Sequence, residues 1–282
     1  MVPGRTAAGV AALTLGLALS ACGGDESDKG SEPPASDSSP VSVVVIGDSI
    51  PFNAAEDCQG CTAFVDSYGT ALGEQLDATV EVANLSRHDG AQTGDILEQL
   101  QAGELTEPLA DADVVIVSIG FNDQPPYIDP GAPCHVEEPA SSVEAVEAVV
   151  ETTKACVDTA TETLQQTAAE TLAEVRAEAP EAAVAALVPY DSWNGWLALD
   201  AVPAQQREAV TGLVSYALVA WRDALCAEVA AVEGVCVDVY GAFNGPDGRQ
   251  PSGDLLAPDY THPSQEGNER IRDLLLEEHL VG

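Results

Sequence analysis

The sequence predicts an α/β domain of three layers, α/β/α, around a central five-stranded parallel sheet. Two observations carry this. Five short apolar runs rich in Val, Ile and Ala fall at residues 43–46, 79–85, 114–119, 183–188 and 234–240. Stretches with helical character separate them, and strands alternating with helices build a parallel sheet covered on both faces. The 282 residues suffice for one domain with a sizeable core, and no internal repeat is present.

Each element has its own signal. Val43-Val44-Val45-Ile46 is too short and too β-branched for a helix and reads as a buried strand. Phe64, Tyr68, Leu72 and Leu76 recur at helical spacing over residues 64–76. Residues 79–85 form a second strand, 95–100 a short helix and 114–119 a third strand. Residues 142–179, rich in Ala, Glu and Thr with few breakers, read as one or two long helices. A fourth strand covers 183–188. In residues 203–229, Val210, Leu213, Val214, Ala217, Leu218, Trp221 and Leu225 share one helix face. A fifth strand covers 234–240 and a final helix 265–279.

The N-terminus reads as a targeting segment. Arg5 supplies a positive region, and residues 10–19 an apolar stretch too short for a transmembrane span. Leu19-Ser20-Ala21-Cys22, followed by Gly23-Gly24, resembles the lipobox of bacterial lipoproteins. The resemblance implies a signal peptide over residues 1–21, lipid on the Cys22 sulfur and an extracytoplasmic chain anchored to the cell membrane. Residues 22–40 are Gly, Ser, Asp, Glu and Pro with almost nothing apolar, a flexible tether. The folded domain is expected over 41–282.

The formal charge is −37, from 47 acidic and 10 basic side chains. Such a balance excludes nucleic acid and electrostatic docking on anionic lipid, and reads as a solubilising surface. Six cysteines remain beside Cys22, an even number that suggests three disulfides in an extracytoplasmic chain. Fifteen pairings exist in principle. Neighbour pairing is expected: Cys58–Cys61, Cys134–Cys156 and Cys226–Cys236, the longer loops each contributing roughly 2–4 kcal/mol. Cys58-x-x-Cys61 also has the form of a redox motif or half a zinc site, but no second pair completes a zinc set at sensible spacing.

Four short blocks fall at element ends: Gly47-Asp48-Ser49-Ile50 after the first strand, Asn84 through Gly90-Ala91-Gln92-Thr93-Gly94 after the second, Gly120-Phe121-Asn122-Asp123 after the third, and Asp259-Tyr260-Thr261-His262-Pro263 before the last helix. Carboxyl ends of parallel strands are where open α/β sheets bind ligands. A serine hydroxyl there is a weak nucleophile until a base takes its proton. A histidine three residues after an aspartate lets one loop present both.

The four blocks together resemble the SGNH (GDSL-type) hydrolase family over residues 41–282, with a flavodoxin-like sheet. The resemblance implies a catalytic triad of Ser49 as nucleophile, His262 as general base and Asp259 as the acid orienting it. It implies an oxyanion hole from the backbone N–H of Ser49, the backbone N–H of Gly90 and the side-chain amide of Asn122, with Gly94 competing for the place of Gly90. No metal or cofactor is needed. Ile50 replaces the family's leucine. Arg87-His88-Asp89 puts charge just before Gly90, as a solvated loop or a contact to a polar acyl or sugar group. His88, His135 and His279 match no motif. Trp193 and Trp196, in the segment after the fourth strand, line an acyl or sugar pocket or else cover the core. Lack of a Gly-x-Ser-x-Gly elbow argues against an α/β-hydrolase.

The expected activity is hydrolysis of a carboxylic ester of a lipid, a small acyl group or an acylated carbohydrate, through an acyl-Ser49 intermediate. A non-catalytic surface binding protein or an acyltransferase on the same fold is the alternative. Acyl length and oligomeric state are not legible.

Overall fold

The computed structural model describes residues 39–123 and 142–281. The proposed signal peptide, Cys22, most of the tether, Cys134 and His135 lie outside the described residues.

In chain order the elements are β1 (Val41–Gly47), α1 (Ser49–Phe52), α2 (Phe64–Leu76), β2 (Val80–Asn84), α3 (Thr93–Gln101), α4 (Thr106–Ala110), β3 (Val114–Ser118), α5 (Ser142–Glu151), α6 (Lys154–Glu178), β4 (Ala183–Leu187), α7 (Ala204–Ala231), β5 (Val235–Val237), α8 (Val239–Asn244) and α9 (Gln265–Glu277). The strands form one parallel sheet in the order β2-β1-β3-β4-β5. This is the expected three-layer α/β/α fold.

Period-two alternation divides the core between the two sheet faces. Val44, Ile46, Val115, Val117, Val184 and Ala186 pack with apolar residues of α3, α6 and α7. Val43, Val45, Val114, Ile116, Ala185 and Val237 face the other way, onto α2 and α9. Because both faces are covered, β1 and β3 read as unbroken apolar runs. Helix α7 is long and apolar enough to cross a membrane by composition. Val210, Val214, Leu218, Trp221 and Leu225 are nevertheless buried in the protein core.

Caps fix two of the element limits: one shortens an expected strand, and the other decides between the one or two helices expected from 142. The expected strand over 234–240 stops at Val237, because the Asp238 side chain accepts from the backbone N–H of Gly241 at 2.8 Å and opens α8. The helical stretch from 142 is two helices, because Thr153 takes extended backbone and its hydroxyl accepts from Cys156 N–H at 3.2 Å. Helix α4, five residues long, carries no strong periodic signal in the sequence.

Two disulfides have the expected neighbours. Cys58–Cys61 closes the loop before α2, with Cα atoms 5.5 Å apart. Cys226–Cys236 ties α7 to β5, with Cα atoms 5.3 Å apart. The third expected pair, Cys134–Cys156, involves a residue outside the described ones.

Candidate active site

The site is built on the carboxyl ends of β1, β2 and β3. Gly47 on β1 pairs with Ser118 on β3, and a Cβ at Gly47 would collide with the Ser118 carbonyl oxygen. Only glycine lets the two strands meet that closely before the chain turns. Asp48 then caps α1, its Oδ1 accepting from Ile50 N–H at 2.9 Å. This turn lifts the Ser49 hydroxyl off the sheet. Asn53 closes the short helix in the left-handed region and donates its N–H to the Ser49 carbonyl at 3.1 Å.

The opposing loop comes from the other end of the chain. Ala257 N–H donates to the His262 carbonyl at 2.8 Å, closing a tight turn over Asp259 to His262. Within it, Asp259 Oδ1 accepts from the backbone N–H of Thr261 at 3.0 Å and of His262 at 3.1 Å. Its Oδ2 accepts from His262 Nδ1 at 2.6 Å. An ionised carboxylate only accepts, so it holds the ring hydrogen on Nδ1 and leaves the Nε2 lone pair free. That lone pair faces Ser49 Oγ at 3.0 Å. Ser49, His262 and Asp259 therefore form one continuous hydrogen-bonded relay.

Beside the relay, two loops are laced together. Asn84 donates to the Pro51 carbonyl at 2.7 Å, fixing the second block against α1. Gly90 has φ of +73°, backbone that side-chain-bearing residues rarely adopt, and open space where a Cβ would project. Gly94 is the second residue of α3 and lies in its first turn. The Asn122 amide donates to the Ala91 carbonyl at 3.0 Å, while Gln92 donates to the Asn122 carbonyl at 3.1 Å. Asp123 accepts from both the backbone N–H and the hydroxyl of Thr93. Gly90 and Asn122 are thus held within a residue of each other. One Asn122 amide hydrogen remains for a ligand.

Several residues that shape the site carry no motif. Asp57, next to Cys58, places Oδ1 3.5 Å from His262 Nδ1 and accepts from His88 Nε2 through Oδ2 at 2.8 Å. His88 stacks on Phe52, ring centroids 5.3 Å apart. It is therefore neither a freely solvated loop residue nor a remote one. Arg87 and Asp89 pair with each other at the surface. Asn268 on α9 is fully buried: it accepts from Phe64 N–H at 2.9 Å and donates to Asn53 Oδ1 at 3.3 Å and to the carbonyls of Pro263 and Ser264. It joins the turn after Ser49, the start of α2 and the segment following His262. Only a signal of spatial proximity would find these residues, since their partners lie tens to hundreds of positions away.

The electrostatics follow from burial and bonding. Burial pushes the carboxyl of Asp48 up to about 7 despite the Ile50 bond, and one of its oxygens has no partner. Burial likewise raises Asp123 and Asp191, each to about 6. Asp259 differs: burial would raise it, but the bonds from the His262 side chain and the Thr261 and His262 backbone together hold it below the ordinary value. It stays ionised where the relay needs a negative charge.

A cleft of about 250 Å³ adjoins Asn122 and Asp259, lined by Phe121, Ser192, Trp193, Trp196, Tyr260 and Thr261. Trp193 and Trp196 meet edge to face, ring centroids 5.3 Å apart. Both also pack on a satellite core of Val188, Leu199, Val210 and Leu218, so they cover the core and line the cleft at once.

Comparison with solved structures gives the same fold. The lipase Lip_vut3 from a goat rumen metagenome superposes with a TM-score of 0.63 at 17% identity, covering 85% of this chain and 98% of its own. Phospholipase A1 from Streptomyces albidoflavus NA297 gives 0.54 at 20% identity, over 86% of this chain and 100% of its own. The extracellular lipase from Streptomyces rimosus gives 0.51 at 18% identity, over 86% and 100%. No curated protein matches the chain. The model of the GDSL-like lipase/acylhydrolase family matches residues 45–270, a span that begins on β1 and ends within α9 and so takes in every block of the site. The chain belongs to the GDSL-like lipase/acylhydrolase family.

Proposed function

We propose that the protein is a serine esterase that hydrolyses carboxylic esters through an acyl-Ser49 intermediate. The observation that carries this is the relay from Ser49 Oγ to His262 Nε2 at 3.0 Å and from His262 Nδ1 to Asp259 at 2.6 Å. Ser49 Oγ attacks the ester carbonyl as its proton passes to His262 Nε2. The imidazolium formed is stabilised by Asp259, with Asp57 adding a second negative charge at 3.5 Å. The developing oxyanion is met by the backbone N–H groups of Ser49 and Gly90 and by the Asn122 amide. His262 then protonates the departing alkoxide. Water, activated by the same histidine, attacks the acyl-enzyme and releases the acid and Ser49.

The aromatic cleft supports a short acyl chain or a single sugar or aryl ring as the group bound beside the scissile bond. Its volume is below that of pockets enclosing a drug-sized ligand. Trp193 and Trp196 offer flat apolar faces, and Ser192, Asn122 and Thr261 offer polar groups at the rim. An extracytoplasmic location with lipid on Cys22 fits the lipobox and the two disulfides.

The test is hydrolysis of p-nitrophenyl acetate, butyrate and a long-chain ester by the purified protein beside Ser49→Ala. Turnover abolished by Ser49→Ala, and favouring the shorter esters, is expected. A folded protein that turns over none of them above the Ser49→Ala background would overturn the esterase reading.

A further inference from the structure

Asp57 stands between two imidazoles. Its Oδ2 accepts from His88 Nε2 at 2.8 Å, and its Oδ1 lies 3.5 Å from His262 Nδ1. One ligating atom from each of the three residues lies within 4.8 Å of the others. We propose that Asp57, His88 and His262 form a binding site for a zinc ion, and that zinc bound there blocks His262 as a base. The second half rests on the catalytic reading of His262 above.

The donor set suits the ion. Two imidazoles and one carboxylate are ordinary zinc ligands, with a fourth position left for water. Zinc bonds of about 2.0–2.1 Å in a tetrahedral shell set neighbouring ligand atoms about 3.3 Å apart. Asp57 offers Oδ2 at 2.8 Å from His88 Nε2 and Oδ1 at 3.5 Å from His262 Nδ1, and with one donor atom per residue the three lie within 4.8 Å of one another, so the two rings must close toward a single carboxylate oxygen to complete the shell. The Glu56 carboxylate lies 4.0 Å from His88 Nδ1 and adds negative charge at the entrance. The His88 side chain is about one-third exposed, which leaves the ion a path from solvent.

Inhibition follows from the chemistry of imidazole. A neutral ring carries one lone pair and one N–H. In the relay the hydrogen is on Nδ1 and the lone pair on Nε2 faces Ser49. Coordination through Nδ1 uses the lone pair on that atom, so the proton moves to Nε2. The ring then presents N–H, not a base, to Ser49 Oγ, and its bond to Asp259 is lost. His88 likewise moves its ring hydrogen from Nε2 to Nδ1 to free a lone pair for the ion; both shifts exchange protons with water, and removing the ion restores the starting tautomers.

The experiment uses the purified full chain stripped with EDTA. Zinc sulfate is titrated by calorimetry, and hydrolysis of p-nitrophenyl acetate is followed over the same zinc concentrations, with magnesium as control. The expected result is one zinc per chain, a rate that falls in step with occupancy, full recovery with EDTA and no effect of magnesium. His88→Ala, and His88→Asn as a polar replacement checked for folding by circular dichroism, should weaken both binding and inhibition at least about tenfold. Each variant is compared with its own zinc-free rate. No zinc binding, binding and inhibition unchanged in both variants, or full occupancy with an undiminished rate would overturn the proposal. Absence of zinc-free turnover would sink the esterase reading separately, because calorimetry on the His88 variants decides the metal site without catalysis.

Discussion

Tyr190 Oη donates a 2.6 Å hydrogen bond to the carbonyl of Thr261, the residue immediately before His262. The ring is clamped between Phe121 and Phe243, with centroids 5.4 and 4.6 Å away. The segment just after β4 therefore sets the height of the loop that carries His262. Tyr190→Phe keeps the packing and removes a part-buried hydrogen bond, at a cost of about 1 kcal/mol. Denaturant unfolding should show that loss. Steady-state kinetics should show kcat falling with KM nearly unchanged, since the bond positions His262 and touches no substrate.

Asp259→Asn retains the loop but offers His262 Nδ1 an amide that can donate. The ring then turns its lone pair toward position 259 and its hydrogen toward Ser49. The expected loss in kcat is roughly 10⁴-fold. A loss under tenfold would mean that Asp57 alone orients the ring.

Asn122→Ala removes a side-chain donor proposed to meet the oxyanion. A loss of about 10²–10³ in kcat is expected, with KM little altered. The variant also gives up the 3.0 Å tether to the Ala91 carbonyl. Asn122→Asp loses the same tether, since a carboxylate cannot donate, and adds repulsion of the oxyanion, so activity should fall at least as far.

Stability should respond to pH through the buried carboxyls. Asp48, at about 7, and Asp123 and Asp191, at about 6, lie above the ordinary value of 3.8. Between about pH 4 and 7 they hold protons in the folded state that the unfolded chain has released, so stability falls as pH rises through that window. Asp259, held low, works in the opposite sense and loses its contribution only as pH falls through its own depressed value. Asp48→Asn should therefore raise stability above about pH 7, on the order of 4 kcal/mol, and change little near about pH 4. Urea midpoints at the two pH values check this. Equal effects at both would refute the burial argument.

Trp193→Ala should enlarge the cleft beside Asn122. Discrimination between p-nitrophenyl butyrate and acetate should shift by about 10–200-fold in kcat/KM, with the acetate rate nearly preserved. An equal loss on both esters would place Trp193 in the scaffold rather than in the selection of substrate.

The parts of the site readable in one dimension were those whose chemistry sits in a few consecutive residues at an element end. Gly47-Asp48-Ser49 and Asp259-x-x-His262 are of this kind, as are the five strands, whose buried β-branched runs outlast any local ambiguity. The end of β5 was misjudged because one capping aspartate, Asp238, overrides an apolar pattern that continues through Val239 and Tyr240. Asp57, Tyr190 and Asn268 carry no sequence signal of a place in the site for a different reason. Each acts through a partner distant in sequence, as when Asn268 reaches Asn53 across 215 positions, and no periodicity records such a pairing. Trp193 and Trp196 have two readings in the sequence; in the structure both pack on the core and both line the cleft.

Ser49 follows the first strand, whereas Asp259 and His262 lie on the last loop before the final helix. A ribosome therefore releases the hydroxyl more than two hundred residues before the groups that activate it. β1 is an inner strand, flanked by β2 and β3, so the sheet around Ser49 can assemble while the base is still being translated. Asn268, whose buried bonds fasten the loop, emerges later still. On the proposed roles, a nascent or C-terminally truncated chain would carry Ser49 without the histidine that activates it, and reactivity would arrive as the closing event of biosynthesis.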